Sequence, residues 1–324
     1  GISDLIKQHL STPSVSCTSN DIDQGNLHVS QLLADCFETL GFECQIQTVD
    51  RDRDKANLIA TLGSGNNGLV LAGHTDTVPI DEDRWQVEPF GLTEKDNRFY
   101  GLGSCDMKSF FAVIIEALKT LDRTRFQQPL IILATADEET SMSGAKAIAS
   151  HASQFGINNA RFAVVGEPTD MKPIRMHKGM MMEAIQLTGQ AGHSSNPALG
   201  NNALEAMHKV ISELMLWRDE LQSRYHNPMF EVPVPTMNFG HIHGGDNPNR
   251  ICGSCELQID IRPLPGMKID ELRHEMQLRL KQVLSETGIQ FKTVALFDGV
   301  EAVETDKQSE IVRLAEKMTN TEAG

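Results

Sequence analysis

The sequence predicts an α/β protein in which a helix-flanked sheet is interrupted by a compact β-α-β-β-α-β module. Three observations carry this. Up to about residue 175, short apolar runs alternate with helical stretches. From about residue 180 the strands instead alternate apolar and polar residues. The length of 324 residues also exceeds what one hydrophobic core usually serves.

In chain order, HVSQLLADCFETLGF (28–42) has apolar residues at helical spacing and stops at Gly41. NLIATLG (57–63), LVLAG (69–73), PLIILATA (129–136) and RFAVVG (161–166) are short apolar runs. The helix MKSFFAVIIEALKTL (107–121) lies between the second and third of them. Strands apolar on both faces fit a sheet covered by helices on two sides. MMEAIQLTG (181–189) then alternates like a half-buried strand, and 202–225 is a long amphipathic helix. Strands follow at 236–245 and 250–263, a helix at 269–286 and a strand at 289–297. That order is the ferredoxin-like split βαβ unit. The expected division is therefore 1–175, a module over 176–298, and a short returning part, 299–324, with a helix at 309–318. The returning part is expected to be incomplete.

Composition excludes some functions. The 29 Lys+Arg against 44 Asp+Glu leave a formal charge of −15, which argues against nucleic acid or an anionic membrane as a partner. Six cysteines are sparse for a disulfide-built fold, and no apolar run approaches the roughly 20 residues of a membrane span. A cytoplasmic location is the expectation.

The chemistry-bearing residues cluster at strand ends. LVLAGHTDTVP (69–79) runs an apolar strand into His74 and Asp76, which face the same side of an extended chain. A carboxylate there can orient an imidazole as a metal ligand; a core histidine paired with an aspartate has the same pattern. In YGLGSCDMKS (100–109), Asp106 follows a glycine-rich turn and precedes a helix, where a helix cap is also common. ATADEETSMSG (134–144) places Asp137, Glu138 and Glu139 after a strand. Three adjacent like charges repel unless a cation or solvent relieves them. RFAVVGEPTD puts Glu167 after another apolar strand. Ligands collect at the carboxyl ends of strands in open α/β sheets, and one histidine with several carboxylates suits zinc or a similar divalent ion.

Taken in order, GHTDTVP, YGLGSCDMKS, ATADEETS, GEPTD and GQAGHSS resemble the motifs of a co-catalytic metallopeptidase family. Its members include the aminoacylases, carboxypeptidase G2 and succinyl-diaminopimelate desuccinylase. The match runs over essentially the whole chain. It implies a metallopeptidase-like catalytic domain interrupted by a lid through which the protein forms a homodimer. It also implies two Zn2+ per subunit, replaceable by Co2+. His74, Asp106 and Glu167 would hold one ion, with Asp106 bridging to a second bound by Glu139. Asp76 would orient His74, and Glu138 would be the general base. His193, in GQAGHSS, would donate to the oxyanion in the partner subunit's site, although a loop histidine reads the same way. Asn249 and Arg262 would hold substrate. The resemblance further implies a cis-type peptide at Cys105–Asp106 and a histidine ligand near the C-terminus, where this sequence has none after His274. The implied reaction is hydrolysis of an N-acyl amino acid. A related deacylase or dipeptidase, or an inactive binding module, are the alternatives.

Two further motifs are expected to hold no metal, CGSC being structural and HIHGG structural or cleft-lining. CGSC (252–255) lies in an alternating strand, where residues three apart face opposite sides. HIHGG puts His241 and His243 on one strand face without accompanying carboxylates.

Overall fold

A computed structural model describes residues 1–324 apart from the side chain of Glu82. The chain forms two compact units, Gly1–Asp170 and Met171–Gly324.

The first unit runs α1 (Ile2–Leu10), α2 (Leu27–Thr39), β1 (Glu43–Asp50), β2 (Lys55–Leu62), β3 (Gly68–His74), β4 (Thr93–Lys95), β5 (Arg98–Tyr100), α3 (Lys108–Thr120), β6 (Leu130–Thr135), α4 (Ser143–Ser150) and β7 (Ala160–Val165). Five strands form one sheet in the order β1-β2-β6-β3-β7. β3 is parallel to both β6 and β7, while β2 is antiparallel to β1 and β6. Strand alternation divides the apolar residues between two cores. Leu58, Ala60, Ile132 and Ala134 face α2 and α3 with Leu33, Phe37, Phe111 and Ile115. Ile59, Val70, Ile131 and Leu133 face the opposite side with Ile148 of α4. The apolar runs are continuous because both faces are dry.

The second unit runs β8 (Met176–His177), β9 (Met181–Thr188), β10 (Gly192–His193), α5 (Ala203–Arg224), β11 (Thr236–Gly244), β12 (Arg250–Ile251), β13 (Ser254–Arg262), α6 (Ile269–Val283), β14 (Gln290–Ala295), β15 (Val303–Glu304) and α7 (Glu310–Thr319). Its main sheet has the order β11-β13-β9-β14, antiparallel throughout. One face buries Ile185, Leu187, Leu257, Ile259 and Ile261 under α5 and α6, including Trp217 and Met276. That is the predicted β-α-β-β-α-β module.

Residues 299–324 belong to this second unit, whereas the sequence reading returned them to the first. Backbone pairing is the cause. Val303 and Glu304 pair with His177 and Met176, and Arg175 N–H donates to the Gly324 carbonyl at 2.9 Å. Unread in the sequence were α1, β1, the β4–β5 hairpin, α4 and the two-residue strands β8, β10 and β15. β1 is an edge strand with no residue fully buried, and α4 is eight residues rich in Ala and Ser, so neither shows a strong period.

Candidate active site

Three neighbouring parallel strands end together. β3 closes on His74, β6 leads into Asp137, Glu138 and Glu139, and β7 leads through Gly166 to Glu167. His74 stands opposite Thr135, and Ala72 opposite Val165, so the registers bring these ends level. The loop before α3 adds Asp106. Close approach needs Gly166, where a Cβ would lie 2.4 Å from the Phe110 ring. The cis peptide is Asp106–Met107, one bond after the place the resemblance implied.

His74 is buried. Its Nδ1 donates to the Asp76 carbonyl oxygen at 2.9 Å, with an Asp76 carboxylate oxygen at 3.5 Å. Nε2 is then the edge offered to the acids: Asp106 lies at 3.1 Å, Glu167 at 3.5 Å and Glu138 at 3.8 Å. Ligand atoms of His74, Asp106 and Glu139 lie within 4.8 Å of one another, as do those of His74, Glu138 and Glu167. The Asp76 carboxylate has a second task beyond the one expected of it. Its two oxygens accept the backbone N–H groups of Glu138 and Glu139, each at 3.1 Å. One aspartate thus orients the histidine through its carbonyl and the acidic turn through its carboxylate.

The electrostatics are those of partly buried acids crowded around one histidine. Burial and neighbouring carboxylates raise the pKa of Glu138 and Glu167 and push Glu139 up to about 7, against the relief His74 provides. Burial disfavours charge on His74, but Asp76, Glu138 and Glu167 outweigh it and hold its pKa up to about 10. An imidazole nitrogen among several carboxylate oxygens is a donor set that fits a divalent cation.

Asp137 takes no part in that cluster. Its φ of +59° turns the chain sharply, and its carboxylate accepts from Lys55 Nζ at 2.8 Å, Ser16 Oγ at 2.7 Å and Ser143 Oγ at 2.9 Å. Those bonds hold its carboxyl below the usual range in spite of burial. Sequence reasoning passed over Lys55. The available signal was a lysine heading a mostly apolar strand, because a buried ammonium requires a carboxylate partner.

The remaining candidates lie in the second unit. His193 on β10 pairs with Arg250 on β12, and Ser194 N–H donates to the Asn249 carbonyl at 3.0 Å, so His193 and Asn249 share one loop cluster. Ser195 N–H donates to His193 Nδ1 at 3.3 Å, and the Ser195 hydroxyl lies 2.8 Å from the same atom. An accepting Nδ1 leaves Nε2 as the N–H donor. Arg262 ends β13, roughly 25 Å along the strand from its start beside β12, and its Nε donates to Asp260 at 2.9 Å. Cys252 and Cys255 are packed into the core under α5. His241 and His243 are exposed on β11, and His243 faces Glu256.

Residues 70–322 match the sequence profile of Peptidase family M20/M25/M40. The chain belongs to this family. Acetylornithine deacetylase of Proteus mirabilis (strain HI4320) is 49% identical over 323 residues, which is 99% of this M20 chain and 82% of that protein. Among solved structures, aminopeptidase PepT from Bacillus cereus superposes with a TM-score of 0.72 at 17% identity, covering 100% of this chain and 83% of that one. The YXEP protein of Bacillus subtilis, a dinuclear metal binding peptidase of the same family, superposes at 0.65 and 14% identity, covering 100% and 80%. No described helix of this M20 chain is long and apolar enough to cross a membrane.

Proposed function

We propose that this M20 hydrolase cleaves N2-acetyl-L-ornithine to L-ornithine and acetate, a step of arginine biosynthesis in the cytoplasm. The 49% identity to an acetylornithine deacetylase across 99% of the chain carries the choice of substrate. The convergence of His74, Asp106, Glu138, Glu139 and Glu167 supports the chemistry.

In this reading His74, Asp106 and Glu167 would hold one zinc, and Asp106 and Glu139 would contribute to a second; cobalt would replace either. A bound ion supplies Lewis acidity to the acetyl carbonyl and to the attacking water. Glu138 accepts the proton of that water and returns it to the leaving amine nitrogen. Burial makes its carboxylate a better base than a free glutamate. Asp76 keeps Nδ1 of His74 as the donor and so aims Nε2 at the acids. His193, with Nε2 carrying its proton, donates to the oxyanion of the tetrahedral intermediate in the partner subunit of a homodimer formed by the 176–298 module. Asn249 and Arg262 bind substrate, the guanidinium meeting the α-carboxylate through paired hydrogen bonds.

The test is acetate release from N2-acetyl-L-ornithine by zinc-loaded protein. Glu138→Gln is expected to keep its metal and lose turnover by about 100-fold or more. Preferential cleavage of a dipeptide or another acyl amino acid, with no acetate released, overturns the substrate. Mixing His193→Ala with Glu138→Gln protein is expected to restore part of the activity. Failure to do so contradicts the exchange of His193 between subunits.

A further inference from the structure

Three acids leave β6 in succession, and the fold treats the first differently from the other two. Glu138 and Glu139 join the cluster around His74, while Asp137 points back to a lysine on the neighbouring strand. Lys55 opens β2 with its side chain only 1% exposed, and its Nζ lies 2.7 Å from Asp23 and 2.8 Å from Asp137. We propose that Lys55 is a positioning residue for hydrolysis, fixing through Asp137 the turn that presents Glu138 and Glu139. The inference rests on the roles given to those two glutamates above.

The turn is held from both sides. On one side the Asp76 carboxylate accepts the N–H groups of Glu138 and Glu139. On the other, the Asp137 side chain is fixed by Lys55, Ser16 and Ser143, and its carbonyl accepts the Met142 N–H at 2.7 Å. Asp76 alone leaves the turn free to pivot about the two accepted N–H groups. Locking Asp137 removes that freedom. The ammonium has a second effect, because it neutralises the like charge standing directly behind Glu138. Ser16 carries the arrangement further: its hydroxyl reaches both Asp137 and, at 2.9 Å, Thr140, while its N–H donates to Thr77 at 2.8 Å. The segments bearing Asp76 and Glu138 are thereby tied through one serine.

Lys55→Met alone leaves the Asp137 carboxylate without its ammonium and Asp23 with only Arg53 at 3.8 Å, and is expected to fold poorly. The deciding variant is therefore Lys55→Met with Asp137→Asn. In it Asp23 keeps the Cys17 N–H at 2.9 Å and Arg53 at 3.8 Å. This double variant is expected to unfold cooperatively, with kcat reduced about tenfold or more and KM within about twofold of wild type. The visible absorption of its Co2+-substituted form is expected to shift, reporting a moved carboxylate. An unchanged kcat together with an unchanged cobalt spectrum overturns the proposal and leaves Lys55 a structural residue. Glu138→Gln, measured alongside, separates the two failures. Full turnover there refutes the role of Glu138, whereas the cobalt spectrum of the double variant reads the turn itself.

Discussion

A buried histidine surrounded by acids costs stability unless its charge state and orientation are both fixed, and at His74 the backbone does half of that work. The Asp76 carbonyl sets the ring, so the Asp76 side chain is free to hold the turn carrying Glu138 and Glu139. Asp76→Ala keeps the carbonyl on His74 but removes the brace on the Glu138–Glu139 turn, and is expected to weaken zinc binding about 10- to 100-fold. Competition with a chromophoric chelator measures it, and unaltered affinity refutes the bracing role. His9 makes a separate statement about pH. Burial, and then the nearby Lys108, lower its pKa to about 4. The folded state therefore binds this proton less well than the unfolded chain. The penalty is absent above about pH 6.5 and grows as pH falls towards 4, reaching roughly 3 kcal/mol. Urea unfolding across that window is expected to show His9→Leu losing less stability than wild type. Parallel pH profiles for the two proteins contradict it. His74, Asp106, Glu138, Glu139 and Glu167 were each legible as strand-end or loop-end residues, because a charge after an apolar run has few structural excuses. The pairing of Asp137 with Lys55 was not legible, since 82 residues separate them and only the sheet brings β2 beside β6.

The site depends on strands ending level, and one asparagine links the relevant ends. Asn57 on β2 accepts the Ala136 N–H at 3.0 Å and donates to the Gly144 carbonyl at 2.9 Å. It ties the exit of β6 to the start of α4. Gly144 fits because it has no side chain: a Cβ there would lie 2.4 Å from the Ala136 carbonyl oxygen. Gly144→Ala is expected to cost about 1–3 kcal/mol by overpacking, read as a lower midpoint in urea. A midpoint equal to wild type shows that α4 can shift without loss. Elements of this kind divide by how strongly their burial shows in the sequence. β2, β3 and β6 were plain as apolar runs because helices cover both faces. β1 lies at the sheet edge with no residue fully buried, and its mixed composition hid it.

For the whole molecule, the first consequence is a coupling between metal and protons. Against its burial, the neighbouring carboxylates hold the pKa of His74 up to about 10, and burial pushes Glu139 up to about 7, so both carry much of a proton at neutral pH. Zinc binding at pH 7 is expected to release at least one proton, and zinc affinity to fall as pH is lowered below 7. Calorimetric titration in buffers of different ionisation enthalpy reads the number released, and zero contradicts the site as described. Zinc is also expected to raise the unfolding temperature, because the ligands come together only in the folded first unit. The sequence by itself determined the alternation of helix and strand, the β-α-β-β-α-β module and the placing of a histidine and several acids at strand and loop ends, all of which rest on local periodicity and on charges placed where a strand ends. Tertiary structure alone decided which acids join the cluster around His74 and which is neutralised by Lys55. It also decided that residues 299–324 pair with β8, and that a carbonyl rather than a carboxylate makes the short contact to His74. Each of these turns on strand register and side-chain direction across distant segments, where the energy depends on contacts that no local pattern records.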